Sequence, residues 1–287
     1  MPVVVVGASG LVGRRAVEAF ARISPEVRAF VRRKEAGPGL RALGAKVAVG
    51  WIGDVDTLAT VMAGAHTVCH LVGGLDSSHL EDDILGTLGP VLVAASRARV
   101  ERVLYLSYPG ASSRASNPYL RFKGLAEEAI AESGLEHAII RATHVYGPES
   151  RWLTAMVRSA RRWPSMVIGS GHQVMAPVFV LDVAAALAGA DDRGALRSGT
   201  WGLEGPDRLT ADELADLLAA RHRAKLHLRP GLAARLARLA GLPGGRAMME
   251  VLAADSLADA PDAAAEFGAT RTGLTEGLAH SLGPHAS

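Results

Sequence analysis

Val3-Val4-Val5-Val6-Gly7-Ala8-Ser9-Gly10-Leu11-Val12-Gly13, continuing as Arg14-Arg15-Ala16-Val17-Glu18-Ala19-Phe20, is the stretch that decides the fold. Four consecutive β-branched residues running into a glycine turn read as a strand buried on both faces, the central strand of a parallel sheet. Each glycine of the turn has a separate reason to be there. Gly7 permits the tight bend, Gly10 lets a backbone come close to a charged ligand, and Gly13 allows the next helix to pack against the strand. The free N–H groups of that helix's first turn, near Ser9, Gly10, Leu11 and Val12, form an anion site suited to a pyrophosphate, so a dinucleotide is the expected occupant. The trio is a weak signal alone. Its place directly after a strand and at the opening of a helix is the context that gives it meaning.

Working outward, Val27 to Val31 reads as a second strand, ending in Arg32-Arg33-Lys34 with no acid before Glu35. At this strand end an acidic residue takes the ribose hydroxyls of NAD, whereas arginine accommodates the 2′-phosphate of NADP. Arg32 and Arg33 therefore point to NADP(H). A third strand, Lys46 to Val49, leads to Asp54, which either caps the helix that begins near Thr57 or contacts adenine. The fourth strand, Thr67 to Val72, ends in Gly73-Gly74, so that Leu71, Val72 and Gly73 line the path of a cofactor across the sheet edge. His70, inside that strand, reads as a core histidine. Residues about 79–98 form a long helix interrupted by Gly86, Gly89 and Pro90.

Composition sets broad limits. The chain has 287 residues, 49% hydrophobic and 21% charged, with a formal net charge of +2. This is ordinary globular material, enough for a large core and too nearly neutral to argue for nucleic acid. The basic runs Arg158 to Arg162 and Arg221 to Arg229 read as solvated helix faces. The single cysteine, Cys69, reads as a buried core thiol and excludes an internal disulfide. No zinc-ligand pattern is present and no metal is expected. With no basic leader, no cleavable apolar segment and no apolar stretch long enough to span a bilayer, the expectation is a cytoplasmic protein without membrane contact.

The fifth strand, Arg102 to Ser107, carries Ser107 and Tyr108 to the carboxyl edge of the sheet. After a polar loop, Pro118-Tyr119-Leu120-Arg121-Phe122-Lys123 enters a helix that stops at Gly134. Tyr119 and Lys123 are four apart and share a helix face. A tyrosine hydroxyl titrates near pH 10 and is a poor proton donor at neutrality; a neighbouring ammonium is expected to lower that value by favouring phenolate.

The glycine trio, the strand-end Ser107 and the Tyr119-x-x-x-Lys123 pair together resemble the short-chain dehydrogenase/reductase superfamily. The wording from Pro118 to Glu127 is most similar to its atypical branch, the NmrA-like NAD(P)-binding proteins and the relatives of the complex I accessory subunit. Arg141-Ala142-Thr143-His144-Val145-Tyr146-Gly147-Pro148 resembles the segment after the sixth strand of extended members. Pro177 to Ala184 resembles the segment where their chain returns to the nucleotide-binding domain. Gly199 to Pro206 precedes a capping box at Thr210 and Glu213. The likeness covers about residues 2–220, in the family's order.

The resemblance implies a Rossmann-type doubly wound parallel sheet over 1–148 with a return segment 174–192, and a smaller, mostly helical C-terminal lobe over 149–173 and 193–287 that chooses the substrate. It implies Tyr119 as proton donor, Lys123 as both nicotinamide-ribose contact and tuner of Tyr119, and Ser107 as the group that orients a substrate carbonyl. Ala142 and His144 fall on the nicotinamide side of the site, and His144 or Tyr146 either contacts substrate or packs. Two features depart from the family. Ser107 and Tyr119 are separated by only 12 positions, and Ala142 stands where proline is usual. The expected activity is reduction of a small, apolar or aromatic carbonyl, quinone or enone by NADPH, in a monomer or homodimer. A non-catalytic redox sensor, or an epimerase or coupling enzyme that uses the cofactor transiently, remains an alternative. In the tail, Trp152, Met156 and Trp163 read as one helix face, Leu232 to Leu239, Arg246 to Leu257 and Asp262 to Phe267 as helical, and 241–245 as a loop.

Overall fold

The computed structural model describes residues 1–192, 198–239 and 245–282. Its elements in chain order are β1 (Val3–Val6), α1 (Leu11–Ile23), β2 (Val27–Val31), α2 (Gly37–Ala42), β3 (Lys46–Val49), α3 (Val55–Met62), β4 (Thr67–His70), α4 (Thr87–Arg97), β5 (Arg102–Ser107), α5 (Pro118–Glu132) and β6 (Glu136–Ala142). They continue with β7 (Val145–Tyr146), α6 (Arg151–Ala160), β8 (Ser165–Ile168), β9 (Val174–Met175), β10 (Val178–Phe179), α7 (Val180–Asp192), β11 (Gly199–Leu203), β12 (Leu209–Thr210) and α8 (Ala211–Ala219). The last are β13 (Lys225–Leu228), α9 (Pro230–Leu239), α10 (Arg246–Leu252), α11 (Ala263–Phe267) and α12 (Leu274–Leu282).

The main sheet has the order β11-β6-β5-β4-β1-β2-β3, and its pairs are all parallel. The four valines of β1 explain its central place. Val3 and Val5 enter the core beneath α1 and α7, whereas Val4 and Val6 enter the opposite core beneath α3, α4 and α5. A strand with apolar side chains on both faces is stable only where helices cover both. Because β2 and β3 extend to one side of β1 and β4 to β6 to the other, the connections diverge at the carboxyl ends of β1 and β4. A crevice opens there.

The long interrupted helix resolves into a π-helical turn, Asp82–Gly86, followed by α4, with Pro90 inside its first turn. His70 and Cys69 are fully buried core residues, as expected. Other expectations need correction. Residues 199–203, assigned with the C-terminal lobe, supply the seventh strand of the main sheet beside β6. Ala263, Ala264 and Phe267 of α11 likewise return to the main core. The stretch Arg221 to Arg229 is no helix face: it is a loop followed by β13, which pairs in parallel with β8. Trp163 lies beyond the end of α6 and is exposed, while Trp152 and Met156 pack into the lobe. The boundary at 193 and most of the expected loop 241–245 lie outside the described residues.

The lobe combines α6, α8, α9, α10 and α12 with short strand pairs, and it closes over the carboxyl edge of the sheet. Its helix α8 begins with the expected capping box, Thr210 and Glu213. Among the described residues, no helix is long and apolar enough to cross a membrane.

Candidate active site

A cleft of about 550 Å³ runs along the crevice, from the β1–α1 turn past the ends of β4 and β5 to the lobe. Ser9, Gly10, Leu11, Val12 and Gly13 line one end. Leu71, Val72 and Gly73 line the middle. Ser107, Tyr108, Tyr119, Lys123, Ala142 and His144 line the far end, with Trp152 and Met248 of the lobe.

The glycine end is built from backbone. Gly7 has φ +85°, a region closed to most side chains, and a Cβ there would sit 2.9 Å from the Leu71 carbonyl carbon. A Cβ on Gly13 would collide with the Gly7 carbonyl oxygen and the Ala8 backbone. Gly10 is the N-cap of α1 and offers no side chain to the helix's first N–H groups; no acidic residue occupies that turn. Donors facing a cleft at the positive end of a helix suit a diphosphate. Of the other expected cofactor contacts, Arg32 and Arg33 are exposed just past β2, outside the cleft lining. Asp54 caps α3: its carboxylate accepts from the Thr57 N–H at 3.1 Å and the Thr57 hydroxyl at 2.6 Å. Those two bonds hold its pKa below the usual carboxylate range. Of the two readings of Asp54, the helix cap is the one the structure displays.

The far end is built from side chains. Asn117 caps α5, accepting from the N–H groups of Tyr119 and Leu120, and Pro118 occupies the first turn. The short Ser107-to-Tyr119 spacing is accommodated because the loop folds back on the helix. Ser112 donates its N–H to the Leu120 carbonyl at 3.1 Å, and its backbone lies so close to Gly124 that a Cβ there would collide with it. Tyr119 and Lys123 therefore reach the same wall as Ser107. Lys123 is 3% exposed; its ammonium donates to the Leu106 carbonyl at 2.8 Å and stands 4.7 Å from the centre of the Tyr105 ring and 5.8 Å from that of Tyr119. Burial pushes its pKa down to about 7, with Glu127 opposing.

The expectation that Lys123 lowers the Tyr119 pKa is not met. Burial, followed by the nearby Asp76 carboxylate, drives the phenol upward instead. A lysine made a weaker base by its own desolvation supplies little charge to its neighbour. The Ser107 hydroxyl is buried and has no hydrogen-bond partner in the protein. An orphaned hydroxyl and a buried amine at one end and a glycine cradle closed to side chains at the other fit a dinucleotide lying along the cleft.

A network that sequence spacing did not reveal lies beside them. The Tyr108 hydroxyl is 3.0 Å from His144 Nδ1 and 2.8 Å from the Ser256 hydroxyl. The His144 ring packs edge-on against Tyr108 and tilts over Trp152, their centres 5.3 Å apart. Burial pushes the His144 pKa down to about 3, so the ring is neutral at physiological pH. Tyr108 was legible as the neighbour of Ser107. Ser256 carries no local signal, since it reaches the site only through the return of the tail beside Met175. Tyr146, the other candidate substrate contact, packs against Phe179 in the lobe core and does not line the cleft. Two ion pairs join the sheet to the lobe at the cleft rim, Arg14 to Glu149 at 3.3 Å and Arg151 to Asp76 at 3.1 Å. Among the described residues, no cluster of His, Cys, Asp or Glu could hold a metal ion.

Comparison with known proteins agrees with this geometry. A family model described as NAD(P)H-binding matches residues 7–151. The mitochondrial NADH dehydrogenase (ubiquinone) 1 alpha subcomplex subunit 9 of Arabidopsis thaliana is 31% identical over 230 residues, 75% of this chain and 56% of that protein. Ceramide reductase of Caulobacter vibrioides is 27% identical over 187 residues, 64% of this chain and 59% of that protein. The chain thus spans less than three fifths of either relative's length. The NADPH-dependent quinone oxidoreductase QOR2 of Escherichia coli, solved with NADPH, superimposes with a TM-score of 0.78 over 97% of this chain and 99% of its own, at 20% identity; the likeness is one of fold. With a family match that spans half its length, from the first glycine to the start of the lobe, this chain belongs to the NAD(P)H-binding family.

Proposed function

We propose that the protein is an NADPH-dependent reductase of a small, apolar or aromatic carbonyl, quinone or enone. The observation that carries this reading is the convergence of Ser107, Tyr119 and Lys123 at the end of the cleft farthest from the glycine turn, with the Ser107 hydroxyl buried and unpartnered. The backbone N–H groups of the Gly10-to-Gly13 turn would hold the diphosphate, Lys123 the nicotinamide ribose, and Arg32 and Arg33 the adenosine 2′-phosphate. When bound, the cofactor supplies the hydride.

The protein's own work is to position the acceptor and deliver the proton. Ser107 donates a hydrogen bond to the substrate oxygen and stabilises the negative charge that develops there. Tyr119, which burial keeps protonated at physiological pH, transfers its phenolic proton to that oxygen. Trp152, Met248 and the neutral His144 wall the acceptor away from water. Reductase names among the relatives support this chemistry, although their substrates are stated only for those proteins.

Two observations favour a second reading, in which the cofactor is bound without turnover. Lys123 is engaged by the Leu106 carbonyl, and Tyr119 is held high in pKa rather than low. Following NADPH oxidation against a panel of quinones, ketones and enones, in the wild type and in Tyr119→Phe, separates the two. The reductase reading expects turnover that falls by about 10²–10⁴-fold in Tyr119→Phe while NADPH affinity changes little. Tight NADPH binding with no acceptor reduced supports the second.

A further inference from the structure

Helix α9 is inverted for a helix that faces water. Its small residues Ala233 and Ala237 are buried, while Leu232, Leu236 and Leu239 are 49%, 38% and 84% exposed. At about 100° per residue the three leucines fall within about 60° of arc and form one continuous apolar stripe. On the same wheel Arg235 flanks one side of the stripe and Arg229, the residue before the helix, the other, whereas Arg238 falls about 100° from the nearest leucine. Among the described residues, none of these three arginines is paired with a carboxylate. The sequence has no Asp or Glu from Arg221 to Met249, and Glu250, which follows, is engaged by Arg246 and Asn117. Exposed leucine bordered by uncompensated arginine is the pattern of a helix lying in the plane of a membrane interface.

We propose that α9 docks the protein on an anionic phospholipid surface, with Leu232, Leu236 and Leu239 at the acyl boundary and Arg229 and Arg235 among the headgroup phosphates. Ten residues, about 15 Å of helix, are too few to span a bilayer, so α9 lies flat. The sequence-based expectation of no membrane contact rested on spanning length and does not reach this mode. Charge decides the occupant. A second copy seated stripe to stripe would set the flanking arginines against their counterparts, whereas a phosphate-rich surface complements both. The placement also matters. The inner face of α9 packs in one cluster with Met248, Trp152 and Leu75, which line the far end of the cleft. A surface held against α9 would therefore lie about one helix diameter, roughly 10 Å, from the substrate end. The proposal stands independently of the reductase reading, because its readout needs no turnover.

The test is co-sedimentation of the full chain with vesicles of phosphatidylglycerol and phosphatidylcholine in equal parts, and with phosphatidylcholine alone. The protein is expected to partition onto the mixed vesicles and not onto phosphatidylcholine, more weakly as salt rises. Partition should fall by about tenfold or more in Arg229→Gln/Arg235→Gln and in Leu232→Ser/Leu236→Ser/Leu239→Ser. Unchanged circular dichroism and NADPH affinity in both variants would show that the fold is intact. No partition onto the mixed vesicles would overturn the proposal, as would partition that the leucine variant leaves unchanged. A concentration-dependent dimer in sedimentation equilibrium that the leucine variant abolishes would overturn it too, assigning the stripe to a second copy.

Discussion

The two ends of the cleft are made in different ways. At the phosphate end, the contacts are main-chain donors, and side chains matter through their absence at Gly7, Gly10 and Gly13. At the substrate end, side chains converge from β5, α5, the segment after β6, α6, α10 and the tail at Ser256. A backbone site needs a local conformation, which a short run of residues specifies. A side-chain site needs distant segments brought together, which the packing of the whole chain specifies. The first kind can be read along the chain, and the second only where neighbours in sequence are also neighbours in space.

Three variants press on this difference. The largest effect is expected at Lys123, at the substrate end. Its folded pKa of about 7 lies below the ordinary lysine value of 10.5. Between these values the unfolded chain holds a proton that the folded chain does not, so stability rises with pH across that window. The cost of burying the group is therefore full below about pH 7 and gone above about pH 10.5. Lys123→Met should stabilise the protein by about 4 kcal/mol near pH 6, after allowance for the lost bond to Leu106, and progressively less toward pH 10, as measured by urea unfolding. A pH-independent difference would mean that Lys123 is solvated. Next, Arg32→Ala with Arg33→Ala should weaken NADPH by about 30-fold and NADH by less than about threefold, in direct titration. Equal losses would remove the 2′-phosphate assignment. The smallest effect is expected at Ser256→Ala, which leaves Tyr108 bonded to His144 alone: a few-fold rise in KM and about 1 kcal/mol of stability, with NADPH affinity unchanged. A change in cofactor affinity of the same size would erase the separation between the two ends.

The contrast also explains what was legible. The positions of β1 to β5 along the chain followed from β-branched runs and the glycines and caps that bound them, because each of those signals acts within a few residues. The Tyr119 and Lys123 face followed from helical spacing, but the direction of the Tyr119 pKa did not. Burial at that point comes from the packing of Tyr119 against Tyr108 and the rest of its core cluster, which an i, i+4 pair does not reveal. Ser256 was illegible for a similar reason, as was the placement of 199–203 in the main sheet. For Asp54 both readings were open in sequence, and only the bonds to Thr57 show which the fold uses.

The central claim is that the turn from Gly7 to Gly13 grips the diphosphate of a nicotinamide dinucleotide. Calorimetric titration of NADPH into the wild type and into Gly13→Val tests it most directly, with circular dichroism confirming that the variant keeps its helices. The expected result is saturable binding at about micromolar concentration in the wild type, and a loss of about 100-fold or more in Gly13→Val, whose side chain would collide with the Gly7 carbonyl. A wild type that takes up neither NADPH nor NADH at about millimolar concentration, or a folded Gly13→Val that binds as tightly as the wild type, would contradict it.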